Sequence, residues 1–114
     1  MDLVRDILRA IEDNPAYNGQ PESWGLPPLE IPGHSDEEVM YHVELLIEAG
    51  LVLGNAETGS ISRLTWAGHE FCDNIKDSDI WAKTKERIKG LPGVAIGVIA
   101  DIAEAEIKKR LGLP

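Results

Sequence analysis

His69 and Cys72 stand three residues apart in the stretch Thr65-Trp66-Ala67-Gly68-His69-Glu70-Phe71-Cys72, with His34 and His42 upstream. On a helix that spacing puts an imidazole and a thiol on one side, one turn apart, where both can reach a common metal ion. Zinc, however, takes four protein ligands, or three and a water. The sequence holds no paired cysteine or histidine motif to complete such a set, so no metal is expected. The same pair is a poor nucleophile and base. A reactive thiolate needs an exposed, electropositive setting. Cys72 lies between Phe71 and Asp73, which suits a small buried hydrophobe. The glycine-rich pieces lack the lysine and the spacing of a phosphate loop. The carboxylates are plentiful but read as solvated helix charge. The expectation is no catalytic residue, no cofactor and no enzyme.

Charge is the more informative signal. The 114 residues carry a net charge of -9. Residues 1–50 hold 11 acids and 2 bases, and residues 51–114 hold 9 of each. The whole excess therefore sits in the N-terminal part, where it repels phosphate and attracts basic partners. The composition, 43% hydrophobic and 27% charged, is ordinary for a soluble globular domain. A single cysteine cannot form an internal disulfide. No run approaches the roughly 18 apolar residues of a membrane span. The N-terminal stretch carries acids among its apolar residues and reads as a helix, not a signal peptide. A cytoplasmic protein is expected, with no membrane association.

The elements that would position these residues follow from spacing. Leu3, Val4, Ile7, Leu8 and Ile11 form one stripe of a first helix over residues 2–13, ended by Asn14-Pro15. Residues 14–34 are a long connection with five of the seven prolines. Connections beyond about 12–15 residues are uncommon in compact domains. Leu29-Glu30-Ile31 reads as a short edge strand. Tyr17 and Trp24 either pin this loop to the core or stand exposed as a contact site; the first is the simpler expectation. Ser35 with Glu38 makes a capping box. It starts a central helix whose inward face is Val39, Val43 and Leu46, with His42 between them, and whose stop is Gly50.

A hairpin follows. Leu51-Val52-Leu53 leads into the turn Gly54–Gly59, with Asn55 and Gly59 suited to positive φ, and a weakly patterned return strand runs to Leu64. Thr65 caps the next helix, on which Trp66, Phe71 and Ile75 roughly share a face. Asp77-Ser78-Asp79 is a break or a recap, and a further helix follows over about Ile80 to Lys89, with Trp81, Thr84 or Lys85, and Ile88 inward. Gly90-Leu91-Pro92-Gly93 stops it. The last helix, about Val94 to Leu111, is apolar nearly all round at its start, which implies burial on several sides. The fold class is mainly α with a small β-hairpin, an α+β domain. The single domain comprises a core over 1–76 and a C-terminal helical extension over 77–114.

The run from His42 to Val52, then Leu64-Thr65-Trp66-Ala67-Gly68-His69-Glu70-Phe71, resembles a family of small uncharacterised bacterial and phage proteins, catalogued as a domain of unknown function. The resemblance covers most of the chain. It implies a winged helix-turn-helix core and a phage or prophage origin, but no activity and no catalytic residues. More loosely, the rhythm is similar to winged-helix repressors of the multiple-antibiotic-resistance regulator type, in which the helix before the glycine enters the DNA major groove. Two departures stand out. The proline-rich segment occupies the place of one helix, and the helix that should read DNA carries no lysine or arginine.

That helix carries Asp36, Glu37, Glu38, Glu44 and Glu48, with Tyr41 among them. Basic residues supply most non-specific DNA affinity and the commonest base contacts. The acids instead suit either a solvated surface or docking of a basic protein partner. The expectation is a non-enzymatic regulatory or interaction module that uses Asp36, Glu37, Glu38, Tyr41, Glu44 and Glu48. The alternative is a DNA-binding transcriptional regulator, with Arg5, Arg9 and Arg63 as its contacts. Lys83, Lys85, Arg87 and Lys89 spread around their helix and read as a solvated face. Val94, Ile96, Val98, Ile99 and Ile102 are more apolar surface than a terminal helix easily hides, which predicts a homodimer.

Overall fold

The stripe read from the first twelve residues is where burial begins. In the computed structural model, which describes residues 2–27, 29–91 and 93–113, helix α1 spans Asp2–Asp13. Leu3, Val4, Ile7, Leu8 and Ile11 are all buried, each contributing about 1.5–3 kcal/mol relative to exposure. The remaining elements are a 3-10 turn at Pro21–Gly25, α2 at Asp36–Glu48, β1 at Val52–Asn55, β2 at Ser60–Leu64, α3 at Trp66–Lys76, α4 at Ser78–Ile88 and α5 at Ile96–Arg110. The fold is therefore mainly helical with one antiparallel two-stranded hairpin. Two compact units divide the chain, Met1–His69 and Glu70–Pro114, and the border falls within α3.

In the first unit α1 packs on α2 and β2, α2 packs on β1, and the 3-10 turn packs on β2. The start of α2 is set by Ser35, whose Oγ accepts from the Glu38 N–H at 3.2 Å. The reciprocal half of the expected capping box is replaced: the Glu38 carboxylate turns to His34 Nδ1. The end of α2 is a Schellman motif. Gly50 has φ +78, its N–H donates to Ile47 O, and the Leu51 N–H donates to Leu46 O, both at 3.0 Å.

The hairpin explains its own weak pattern. Val52 pairs with Leu64, Leu53 with Arg63, Gly54 with Ile61, and Asn55 with Ser60, with a bulge between Leu53 and Gly54. Ser62 is the extra residue, so Ile61, Ser62 and Leu64 are all buried and strict alternation is lost. The Ser62 carbonyl accepts from the Gly19 N–H at 3.2 Å. Gly54 is needed here, because a Cβ would lie 2.3 Å from Ser60 O. At the tip Gly59 takes positive φ, but Asn55 does not. Asn55 works through its side chain, whose Oδ1 accepts from the Glu57 N–H at 2.9 Å. The neck is closed by Thr65: its N–H donates to Leu51 O at 3.0 Å and its hydroxyl to Gly50 O at 2.6 Å. The same Oγ1 caps α3 by accepting from the Gly68 N–H at 3.0 Å.

Three expectations for this part are corrected. Leu29-Glu30-Ile31 is not a strand; Ile31 is buried without a pairing partner strand. Residues 21–25 form a 3-10 turn that the proline count concealed. Trp66 does not share a face with Phe71 and Ile75. It is 79% exposed while they are buried, because five residues turn a helix by about 500°, well off the starting direction.

In the second unit α4 packs against α5. Asp77 Oδ1 caps α4 by accepting from the N–H groups of Asp79 (2.8 Å) and Ile80 (3.1 Å). Ile80, Trp81, Thr84 and Ile88 are buried, and the Thr84 hydroxyl returns to Ile80 O at 2.7 Å. Pro92 of the expected stop, like Pro28 of the long connection, lies outside the described residues. Gly90 and Gly93 both take positive φ. Helix α5 is not buried on several sides. Ile99, Ala103 and Glu106 are its buried residues and lie on one line of the helix. No helix of the described residues is long and apolar enough to cross a membrane.

Candidate interaction surface

Helix α2 separates its residues by face. Val39, Val43 and Leu46 are buried. At 100° per residue, Glu37, Tyr41, Glu44 and Glu48 form a stripe on the opposite side. Glu37 and Glu48 are exposed, Glu44 is half-buried, and Tyr41 is 59% exposed. Asp36 and Glu38 flank the stripe, both exposed. Glu38 meets His34. Asp36, Glu37, Glu44 and Glu48 have no cation partner among the described residues. Tyr41 stands edge-on to His42 at 5.6 Å between ring centroids. The ring of His42 is held by Nδ1, 2.8 Å from the Glu38 carbonyl, so this nitrogen carries the proton.

Beside the first turn of α2 lies a groove of about 180 Å³ that sequence reasoning did not foresee. Leu29, Val39, Met40, Val43 and Ile61 line it, with Asp36, Glu37 and Gly59. Gly59 sits close against Met40 in this lining: a Cβ there would lie 2.4 Å from Met40 Cε. An adjoining hollow of about 80 Å³ shares Leu29, Met40, Gly59 and Ile61 and is walled by Tyr17, Trp24, Leu26 and Pro27. Tyr17 is half-buried and Trp24 is 43% exposed. Tyr17 is thus partly covered, and Trp24 is not buried as the simpler expectation had it. Burial raises the Tyr17 phenol above its ordinary pKa.

The arginines proposed for nucleic acid occupy other places. Arg5 and Arg9 lie on α1, half-buried and exposed respectively. Arg63 sits near the base of the hairpin, opposite Leu53. Its guanidinium donates to Leu64 O at 2.8 Å, and its chain lies along Gly19. The charged residue at the hairpin tip is Glu57. Of the residues expected at a dimer contact, Val98 is 49% exposed, and Val94, Ile96 and Ile102 are half-buried. Ile99 is 1% exposed and cannot serve as an outward contact.

His69 Nδ1 is 3.3 Å from Glu12 Oε2, and Cys72 is buried. Among the described residues no three His, Cys, Asp or Glu side chains cluster to hold a metal ion.

Fold and surface together define a mainly helical α+β chain with one hairpin and an outward acidic face on α2. The chain belongs to the family described as hypothetical protein (DUF2513), whose profile matches residues 1–95. It is 32% identical over 117 residues to an uncharacterised protein of Haemophilus influenzae (strain ATCC 51907 / DSM 11121 / KW20 / Rd), a match covering 96% of this chain and 95% of that one. No solved structure matches the chain.

Proposed function

We propose that this protein is a non-enzymatic interaction or regulatory module of winged-helix type that binds a basic protein partner through the outer face of α2. The order of α1, a capped α2, a hairpin and α3 supports the winged-helix assignment. One observation carries the binding reading: the stripe Glu37, Tyr41, Glu44 and Glu48 lies opposite the buried face and its acids have no cation partner among the described residues. A basic surface approaching it gains steering and register, and Tyr41 supplies an aromatic contact of the kind enriched in binding hot spots. The DNA-binding alternative has less support, since Arg63 is engaged at the hairpin base and Glu57 occupies its tip.

The test is affinity capture from a lysate of the source organism with wild-type protein and with E44K/E48K, alongside duplex DNA shift assays at low salt. The proposal expects a basic protein retained by wild type, released by salt and lost in the variant. Tight, salt-sensitive duplex binding would replace it with the regulator reading. Self-association through the flank of α5 that carries exposed Val98 and half-buried Ile102 is a further part of the proposal. Light scattering giving a 12.5 kDa monomer at high concentration removes that part.

A further inference from the structure

We propose that the groove beside the first turn of α2 anchors the partner, by taking one large apolar side chain of a peptide segment that places lysine or arginine next to it. The inference rests on the acidic-face reading and adds where the partner is gripped and by what chemistry.

Three observations converge on this occupant. The groove is lined by apolar Leu29, Val39, Met40, Val43 and Ile61 and carries carboxylates in the same lining, at Asp36 and Glu37. Neither acid has a cation partner among the described residues. A ligand that filled the floor with a neutral tail alone would desolvate these carboxylates without compensation, at a cost. A segment carrying a cation beside its apolar anchor compensates them. The second observation is size. At about 180 Å³ the groove is smaller than the roughly 300–1,000 Å³ of small-molecule and cofactor sites, and it suits a side chain better than a cofactor. The third is the lining itself. Met40 is held beneath Gly59, and a methionine adapts its unbranched chain to differently shaped anchors. The exposed Trp24 on the adjoining hollow offers a ring face to a cation of the same segment.

The chain has two methionines, so protein labelled with 13C at the methionine methyl groups gives two signals, and Met40→Leu assigns one of them. A random dodecapeptide display library is panned on the wild-type protein, and the most enriched peptide is synthesised and titrated into the labelled protein. The expected result is enrichment of a large apolar residue adjacent to lysine or arginine, with a saturable shift of the Met40 methyl. Affinity should fall about tenfold when that apolar residue becomes serine, and by a similar factor in D36N/E37Q. Both substitutions in that variant are isosteric and exposed, so the fold is retained. If the enriched peptides are basic but lack an apolar anchor, and shift the amides of Tyr41 to Glu48 while Met40 stays unmoved, the groove inference is overturned and the acidic-face reading stands. If no peptide is enriched, or the enriched ones are acidic, both are overturned.

Discussion

Residues 1–69 hold 12 acids and 3 bases, whereas residues 70–114 hold 8 of each. The difference extends to what the charges touch. In the second unit they tie elements together: Arg87 on α4 meets Glu106 on α5 at 3.2 Å, and Arg110 at the end of α5 meets Asp77 and Asp79 at the start of α4 at 2.6 and 3.0 Å. Along α2 in the first unit, four acids face outward with no cation of their own. Charge that is matched within a unit contributes to holding it together. Charge left unmatched on α2 favours the helix in its first turn, where acids suit the dipole; on the proposed reading, the rest of it is available to a partner.

If this contrast is sound, removing a charge should matter in one unit and not in the other. The largest effect is expected from Arg87→Ala. It leaves the carboxylate of Glu106, which is 7% exposed, without its cation, at about 1–3 kcal/mol. The full cost of breaking a buried pair is not expected, because Arg87 is itself half exposed. Denaturant unfolding measures it, and an unchanged midpoint would break the contrast on this side.

A smaller effect, confined to acid, belongs to Asp77. The Arg110 hydrogen bond, followed by the Ile80 N–H, holds its carboxyl below the ordinary value of 3.8. A carboxyl with a lowered folded-state pKa adds stability that is present above the unfolded value and lost as pH falls through the folded one. Wild type should therefore lose stability below about pH 4 with a component that Asp77→Asn lacks, and the two pH profiles should run parallel from pH 5 to 8. Thermal melts across pH check this.

The smallest effect is expected from E44K/E48K, within about 0.5 kcal/mol of wild type. Any shift should be toward greater stability, since cations suit the last turn of a helix. A large destabilisation would show that these acids are structural and would remove the ground for a docking face.

The sequence made some of this legible and not the rest, for identifiable reasons. The α1 stripe, the Ser35 cap and the Gly50 stop are local, each set by residues within about one helical turn, and each was readable; at Asp77 the sequence left a break and a recap open, and the structure shows the recap. The bulge at Ser62 was not, because it breaks the period-two alternation by which a strand is read, and the Ser62 carbonyl bonds Gly19, far away in the chain. Leu29-Glu30-Ile31 looked like a strand, but a strand requires a partner, and the described sheet holds only the β1–β2 pair. The outward position of Trp66 was readable from angle alone and was obscured by counting five residues as one face. On α5 the apolar run at its start suggested burial all round, yet one line of the helix is covered within the chain. The acidic face was visible as composition. The groove beside it was not, since its lining comes from separate elements: Leu29 of the long connection, Val39, Met40 and Val43 of α2, and Ile61 of β2.

The closure at Thr65 has a practical side. Gly50 and Leu51 on one side and Thr65 on the other are bonded to each other across the mouth of the hairpin, so the finger between them behaves as a cassette. Residues inserted between Ala56 and Thr58 would lengthen its far end while the helices on either side keep their junction. A fluorophore or an epitope grafted there would report on the neighbouring trough from within the molecule, with the interior left as it was.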